Sequence, residues 1–157
     1  MGFKLEVFMP VQKLKEYLDS EGVRYMVITH SPAFTAQEIA AAAHVRGEEM
    51  AKTVIVKVDG KLAMVVLPAA QKVDVALLRD RAGARKVEIA TESDFSSTFP
   101  ECELGAMPPF GNLYGIDVYV ASRLAEDDEI VFNAGSHIEL IRLPYADFER
   151  LVKPKVL

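Results

Sequence analysis

A lysine heading an apolar run, a bend of glycines and prolines, and a histidine behind a turn of small residues are the parts of this sequence best suited to chemistry. The bend reads Gly105-Ala106-Met107-Pro108-Pro109-Phe110-Gly111. Proline fixes φ and removes an amide donor, and glycine allows a sharp turn and a close approach. Such a stretch is neither the middle of a helix nor a central strand. It is a stiff uncharged loop whose remaining amides point in fixed directions. It reads either as a rigid surface turn or as a main-chain cradle for a carbonyl or an anion. Lys52 shares a strand face with Val54, Val56 and Val58 because side chains alternate along a strand. Its ammonium either snorkels to water or stands at the rim of a cleft, where it suits a phosphate as a point charge. His137 follows Ala134-Gly135-Ser136. It is either a hydrogen-bonded structural residue or a donor and general acid–base group. His30, before Pro32, lines a pocket mouth with Thr35 or simply makes a turn. His44 falls near a helix C-terminus, where the dipole favours a cation, and reads as structural.

Several chemistries are missing from the pattern. The three histidines and the single cysteine, Cys102, lack metal-ligand spacing. There is no phosphate-binding loop of the Walker kind, no dinucleotide glycine fingerprint and no nucleophile elbow. No metal and no cofactor are therefore expected. Cys102 reads as an incidental thiol, with a Cys102/His137 thiol hydrolase acting on a small ester as a rival. A chain of 157 residues, half of them hydrophobic, suits one domain, 1–157, with one sizeable core. The formal charge of −5, from 18 basic and 23 acidic residues, argues against broad contact with duplex DNA. It leaves room for a local basic pocket. A lone cysteine is compatible with a reducing cytosol. No signal-peptide pattern opens the chain, and no apolar run approaches the ~20 residues that cross a bilayer. A cytoplasmic protein without membrane contact is expected.

The elements that must position these residues follow from periodicity. Val11, Leu14, Tyr17 and Leu18 mark an amphipathic helix that Gly22 ends. Residues 25–29 read as a strand. Thr35-Ala36-Gln37-Glu38 is a capping box opening a helix to about His44, closed by Gly47. Strands 52–58 and 61–67 flank Asp59-Gly60, a hairpin signal. Residues 73–81 read as a helix with Val73, Leu77 and Leu78 on one side, ended by Gly83. Residues 86–89 read as a strand. Thr91-Glu92-Ser93-Asp94 is a second capping box. Strands at 115–120, 130–133 and 136–142 follow, with an acidic turn at 127–129. Residues 145–152 read as a helix with Phe148, Leu151 and Val152 inward. The expected fold is α+β: a mixed curved sheet of about six or seven strands with helices packed against it.

These motifs, in this order, resemble the YbaK and prolyl-tRNA-synthetase-associated domain family, the free-standing relatives of the bacterial prolyl-tRNA synthetase editing domain. The resemblance is carried by Ala51-Lys52-Thr53 before an apolar strand and by the Gly-x-x-x-Pro bend at Gly105 to Pro109, continuing Phe110-Gly111. Gly135-Ser136-His137 and His30-x-Pro-x-x-Thr35 complete it. It implies an aminoacyl-tRNA deacylase that hydrolyses the ester between a wrong amino acid and the terminal adenosine. Expected substrates carry a small amino acid such as alanine, serine, cysteine or threonine. By the same resemblance, Lys52 holds the phosphate of the terminal adenosine. Amides around Gly105, Ala106, Met107 and Pro109 bind the carbonyl and the oxyanion, and His137 positions substrate or ribose. His30, Thr35, Gly111, Gly135 and Ser136 complete the substrate site. A ribose hydroxyl of the substrate helps to activate water. Prolines have no amide, so the donors must come from Gly105, Ala106, Met107, Phe110 and Gly111. Thr35, Phe34, Val54 and Met107 are expected to line the pocket. Met107-Pro108 stands where many relatives carry smaller or polar residues, which narrows it. The implied partners are the acceptor end of aminoacyl-tRNA and, as an option, a synthetase. The alternative is a non-catalytic module of the same fold that holds the acceptor end or a nucleotide.

Overall fold

The computed structural model describes residues 10–29, 50–100, 102–103, 105–136 and 139–157, with 10 and 11 as backbone only. Helix α1, Pro10–Ser20, buries Leu14 and Leu18. It ends where Gly22 takes φ 71°, and the Val23 amide returns to the Leu18 carbonyl at 3.0 Å, a left-handed closure that glycine permits. Strand β1 is Met26–Thr29. Strands β2, Ala51–Val58, and β3, Lys61–Pro68, form an antiparallel hairpin. Asp59 and Gly60 both have positive φ, 51° and 82°, as a two-residue hairpin turn of matching twist requires.

Asp59 has a second task. Its Oδ1 accepts from the Arg85 and Lys86 amides at 3.0 and 2.8 Å, fixing the start of β4, Val87–Ile89. Helix α2, Val75–Ala82, lies between β3 and β4. Asp74 caps it by accepting from the Leu77 amide at 3.0 Å, and Gly83 closes it at φ 64°. Only Leu78 of this helix is fully buried. Leu77, expected inward, is 36% exposed. Val73 precedes the helix, so Val73 and Leu77 do not form one helical row, and a two-turn helix seats only Leu78 deeply. Helix α3 is Glu92–Phe95, β5 is Asp117–Val120, α4 is Ser122–Ala125 and β6 is Glu129–Asn133. Strand β7, Glu139–Pro144, helix α5, Tyr145–Val152, and strand β8, Lys155–Val156, complete the order.

Two sheets result. One has the order β4-β2-β3-β5-β8, with β3 and β5 parallel; the other has the order β1-β7-β6 and is antiparallel. A parallel bridge between Met50 and Val131 joins them. The architecture is the mixed α+β one expected, and the described strands number eight. Central β3 is buried from Ala63 to Pro68, as a strand covered on both faces should be. Met64 and Val66 enter the larger core with Ala51, Ile55, Phe110, Phe132 and Phe148. Ala63, Val65 and Leu67 join Val56, Leu78 and Val87 on the other face. The expected helix from Thr35 to His44 lies outside the described residues. Helix α4, β8 and a 3-10 turn at Gly111–Tyr114 are too short to leave a periodic signature. No described helix is long and apolar enough to cross a membrane.

Candidate functional site

The bend at 105–111 is largely interior. Ala106 to Gly111 are buried and Gly105 is exposed, so the segment is no surface turn. Phe110 anchors it: its ring lies 5.6 Å from Phe132, 5.8 Å from Phe148 and 6.1 Å from Tyr17. Gly111 packs so closely that a Cβ there would sit 2.6 Å from Val118 Cγ2 and 3.0 Å from the Ile116 carbonyl oxygen. The 3-10 turn then closes with the Ile116 amide on the Gly111 carbonyl at 3.1 Å. Its described surroundings are thus core, and its lack of a side chain serves packing.

Two main-chain bonds lace the bend to the turn after β6, and a third closes a turn within the bend's own segment. The Glu103 amide donates to the Gly135 carbonyl at 2.9 Å, the Gly135 amide to the Ala106 carbonyl at 2.8 Å, and the Ala106 amide to the Glu103 carbonyl at 2.9 Å. Gly105 and Gly135 hold φ values of 81° and 100°, conformations natural only to glycine. The structure therefore brings Gly105, Ala106, Met107 and Pro109 together with Gly135 and the half-buried Ser136. The lacing also corrects the donor count. The Ala106 amide is occupied, and Pro108 and Pro109 have none. Of the remaining amides, those of Gly105 and Met107 belong to residues that line a cavity, and no described atom accepts from either.

That cavity, about 250 Å³, is walled by Thr53, Val54 and Ile55 of β2, Ile89 and Ala90 at the end of β4, Glu92 and Phe95 of α3, and Gly105 and Met107. A neighbouring hollow of about 230 Å³ shares Glu92, Phe95 and Met107 and adds Cys102. The Cys102 Sγ lies 3.5 Å from the Tyr114 hydroxyl. Along part of one edge β2 has no strand neighbour among the described residues. Strand β4 pairs only with Val56 to Val58, and the bridge to β6 stands at Met50. The Ile55 carbonyl faces this edge, accepting from the Ala90 amide at 3.0 Å. Thr53, two residues earlier, points its own N–H and C=O the same way.

Lys57, on the face of Thr53 and Ile55, binds Glu88 of β4 at 3.2 Å and Asp94 of α3 at 3.4 Å. Asp94 in turn accepts from the Thr91 amide at 2.8 Å, the reciprocal half of the expected capping box. Its carboxyl is held below the usual range, first by that amide and then by the Thr91 side chain, with Lys57 adding to it. These contacts fix α3, which carries two of the cavity walls. Thr53, Glu92 and Phe95 were not named as site residues from the sequence, Thr53 entering only in the Ala51-Lys52-Thr53 motif. The capping box marked the start of α3 but not what its first turn faces.

Lys52 stands on the strand face that alternation gives it. Alternation sets it with Val54 and Val56, and its cross-strand partner is Leu67 of the second core face. It does not line the cavity that Gly105 and Met107 share. Burial, and then the charge of Lys72, push its ammonium below the usual lysine range. Lys52's neighbours Val56 and Leu67 belong to one core face and Ile55, Met107 and Phe110 to the other, with Thr53 and Val54 bordering the cavity between them. Val54 and Met107, both expected to line the pocket, border the same cavity. His30, Phe34, Thr35, His44 and His137 lie outside the described residues.

An α+β fold of two joined sheets, with a glycine–proline bend bordering a small cavity beside β2, defines the class. The chain belongs to the aminoacyl-tRNA editing domain family, whose model matches residues 30–151. It is 28% identical over 154 residues to the multifunctional Ser/Thr-tRNA deacylase ProXp-y of Escherichia coli strain K12, covering 93% of this chain and 90% of the relative. It is 26% identical over 143 residues to the prolyl-tRNA editing protein ProX of Acetoanaerobium sticklandii, covering 87% and 86%. Among solved structures, a hypothetical protein superposes with a TM-score of 0.82 at 22% identity, covering 92% of this chain and 96% of its own. A candidate trans-editing enzyme for prolyl-tRNA synthetase gives 0.79 at 17% identity, covering 94% of each. At those identities the structures speak for the fold alone. The family resemblance read from the motifs agrees with these matches.

Proposed function

We propose that the chain is a trans-editing aminoacyl-tRNA deacylase for a small amino acid. The observation that carries this reading is the laced bend, which leaves the Gly105 and Met107 amides without a described acceptor beside a cavity of about 250 Å³. Hydrolysis of an aminoacyl ester passes through a tetrahedral oxyanion. A fixed donor aimed at that oxygen is worth roughly 2.7–4 kcal/mol where its removal has been measured. The Gly105 and Met107 amides supply such donors. The three bonds among Glu103, Ala106 and Gly135 hold the main chain still, so little reorganisation is needed as charge develops. The ester lies across the open edge of β2, its amino-acid side chain between Val54, Phe95 and Met107. Lys52 reaches the terminal nucleotide's phosphate from the far face of β2. Water is activated with the help of a ribose hydroxyl of the substrate, and His137 positions that ribose.

The deacylase of Escherichia coli is named for serine and threonine, and a cavity of this size suits side chains of that order. The test is a panel of tRNAs mischarged with alanine, serine, cysteine or threonine. At least one ester is expected to be hydrolysed, with Gly105→Ala reducing kcat roughly 100-fold because a Cβ at positive φ displaces the donor. Absence of hydrolysis above background for every ester overturns the reading. Tight tRNA binding with an unchanged ester lifetime would instead indicate a binding module.

A further inference from the structure

Lys72 borders one cleft with Leu67, the cross-strand partner of Lys52, on the face of the hairpin turned away from the bend. Strand β3 ends at Pro68, paired with Ala51. The chain then folds back, with the Ala69 amide on the Met50 carbonyl at 2.8 Å and the Gln71 amide on the Pro68 carbonyl at 3.0 Å. This turn carries Lys72 over the start of β2, close enough that its charge contributes to the lowering at Lys52. The cleft, about 430 Å³, is also bordered by Val73, Leu77 and Arg123.

Two other charged side chains border this cleft, and both are occupied. Arg123 binds Asp127 at 3.1 Å and Glu126 at 3.7 Å, and the Asp74 carboxylate is occupied as the cap of α2. Neither Lys52 nor Lys72 makes an ion pair among the described residues. Two neighbouring ammoniums without a counter-charge, on a chain whose net charge is −5, repel one another. An arriving anion removes that repulsion.

We propose that Lys52 and Lys72 form a two-point clamp for consecutive phosphodiesters, with Lys72 holding the phosphate of the nucleotide preceding the terminal adenosine. This rests on the deacylase reading for the position of the adenosine. The acceptor strand then approaches along the 430 Å³ cleft, crosses the open edge of β2, and delivers its ester to the bend.

The test compares two substrates bearing the amino acid that the intact chain removes: the full mischarged tRNA, and the aminoacyl ester of adenosine, which carries no phosphate. Lys72→Glu is expected to lower the ratio of kcat/KM between tRNA and adenosine ester roughly tenfold, and Lys72→Ala about threefold. The loss should appear in KM, and Lys72→Arg should restore it. Equilibrium binding of uncharged tRNA gives a second readout. Its salt slope should shrink by about 0.7 in Lys72→Ala, the amount by which one single-strand phosphate fewer is neutralised. A wild-type ratio and slope in Lys72→Glu, or an equal loss on both substrates, overturns the clamp. If the unaltered chain cleaves neither ester, the deacylase reading falls, and the salt slope alone decides the role of Lys72.

Discussion

Tyr145 shows how a single buried group can dominate a local balance. It opens α5 with its ring 5.6 Å from Phe148. Its hydroxyl is buried without a hydrogen-bond partner among the described residues. Burial, and then the charge of Glu149, push its ionisation from 10.0 up to about 12. An unsatisfied buried hydroxyl carries a desolvation cost, so Tyr145→Phe should be neutral or stabilise the fold by up to about 1 kcal/mol. The pH sign follows from the raised value. The unfolded chain loses this proton near pH 10 and the folded chain near 12, so wild-type stability falls across that interval. Urea unfolding at about pH 8, 10 and 11.5 should show a shallower alkaline decline in Tyr145→Phe. A steeper decline, or a clear loss of stability at the lowest of these, would mean that the hydroxyl has a partner. At this scale the sequence was informative about residue types and uninformative about occupancy. It marked every non-proline amide of the bend as a donor. Only the fold discloses that the Ala106 amide is held by Glu103.

Elements whose signals are local were legible. The Asp59-Gly60 turn, the closures at Gly22 and Gly83, and the Thr91–Asp94 cap each depend on residues within one turn of each other, and each stands where its pattern falls. The lacing of the bend to the turn at Gly135 joins segments about 30 residues apart, and no periodicity encodes it. The face of Lys52 was legible too, by alternation. Which face carries the cavity was not, because that depends on β4 stopping at Val56. Helix α3 invites a test at this scale. It has only four residues and cannot stand by propensity, so its place against Phe99 and Met107 rests on its cap and on Lys57. The carboxyl of Asp94 is held below its ordinary value, chiefly by the Thr91 amide. Its stabilisation is therefore present above about pH 4 and is lost as pH falls through the depressed folded value. Asp94→Asn should lower the urea midpoint at neutral pH and flatten its fall toward about pH 2. It should also raise KM for the ester, since Glu92 and Phe95 move with the helix. An unchanged midpoint at neutral pH with the full acid decline intact would assign α3's position to its apolar contacts alone.

The whole molecule sets an electrostatic limit on how tRNA is held. With 23 acidic residues against 18 basic ones, the surface offers no broad attraction to a polyanion. Several described arginines and lysines are already paired, as at Lys57, Arg123, Arg142 and Arg150. Proteins that grip nucleic acid over a wide face neutralise many phosphates and lose affinity steeply with salt. Lys52 and Lys72 make no ion pair among the described residues and stand at one end of one hairpin, so the contact should be confined to the single-stranded acceptor end. Two phosphates on a single strand predict a slope of log Kobs against log salt of about −1.4. Measuring uncharged tRNA binding between roughly 50 and 300 mM salt checks this, a range wide enough to resolve the slope. A short single strand ending in the same 3′ sequence should bind with nearly the same slope as the full tRNA. A slope several times steeper for the full tRNA would show that the body of the molecule is also gripped, and the confinement argued from charge and pairing would fail.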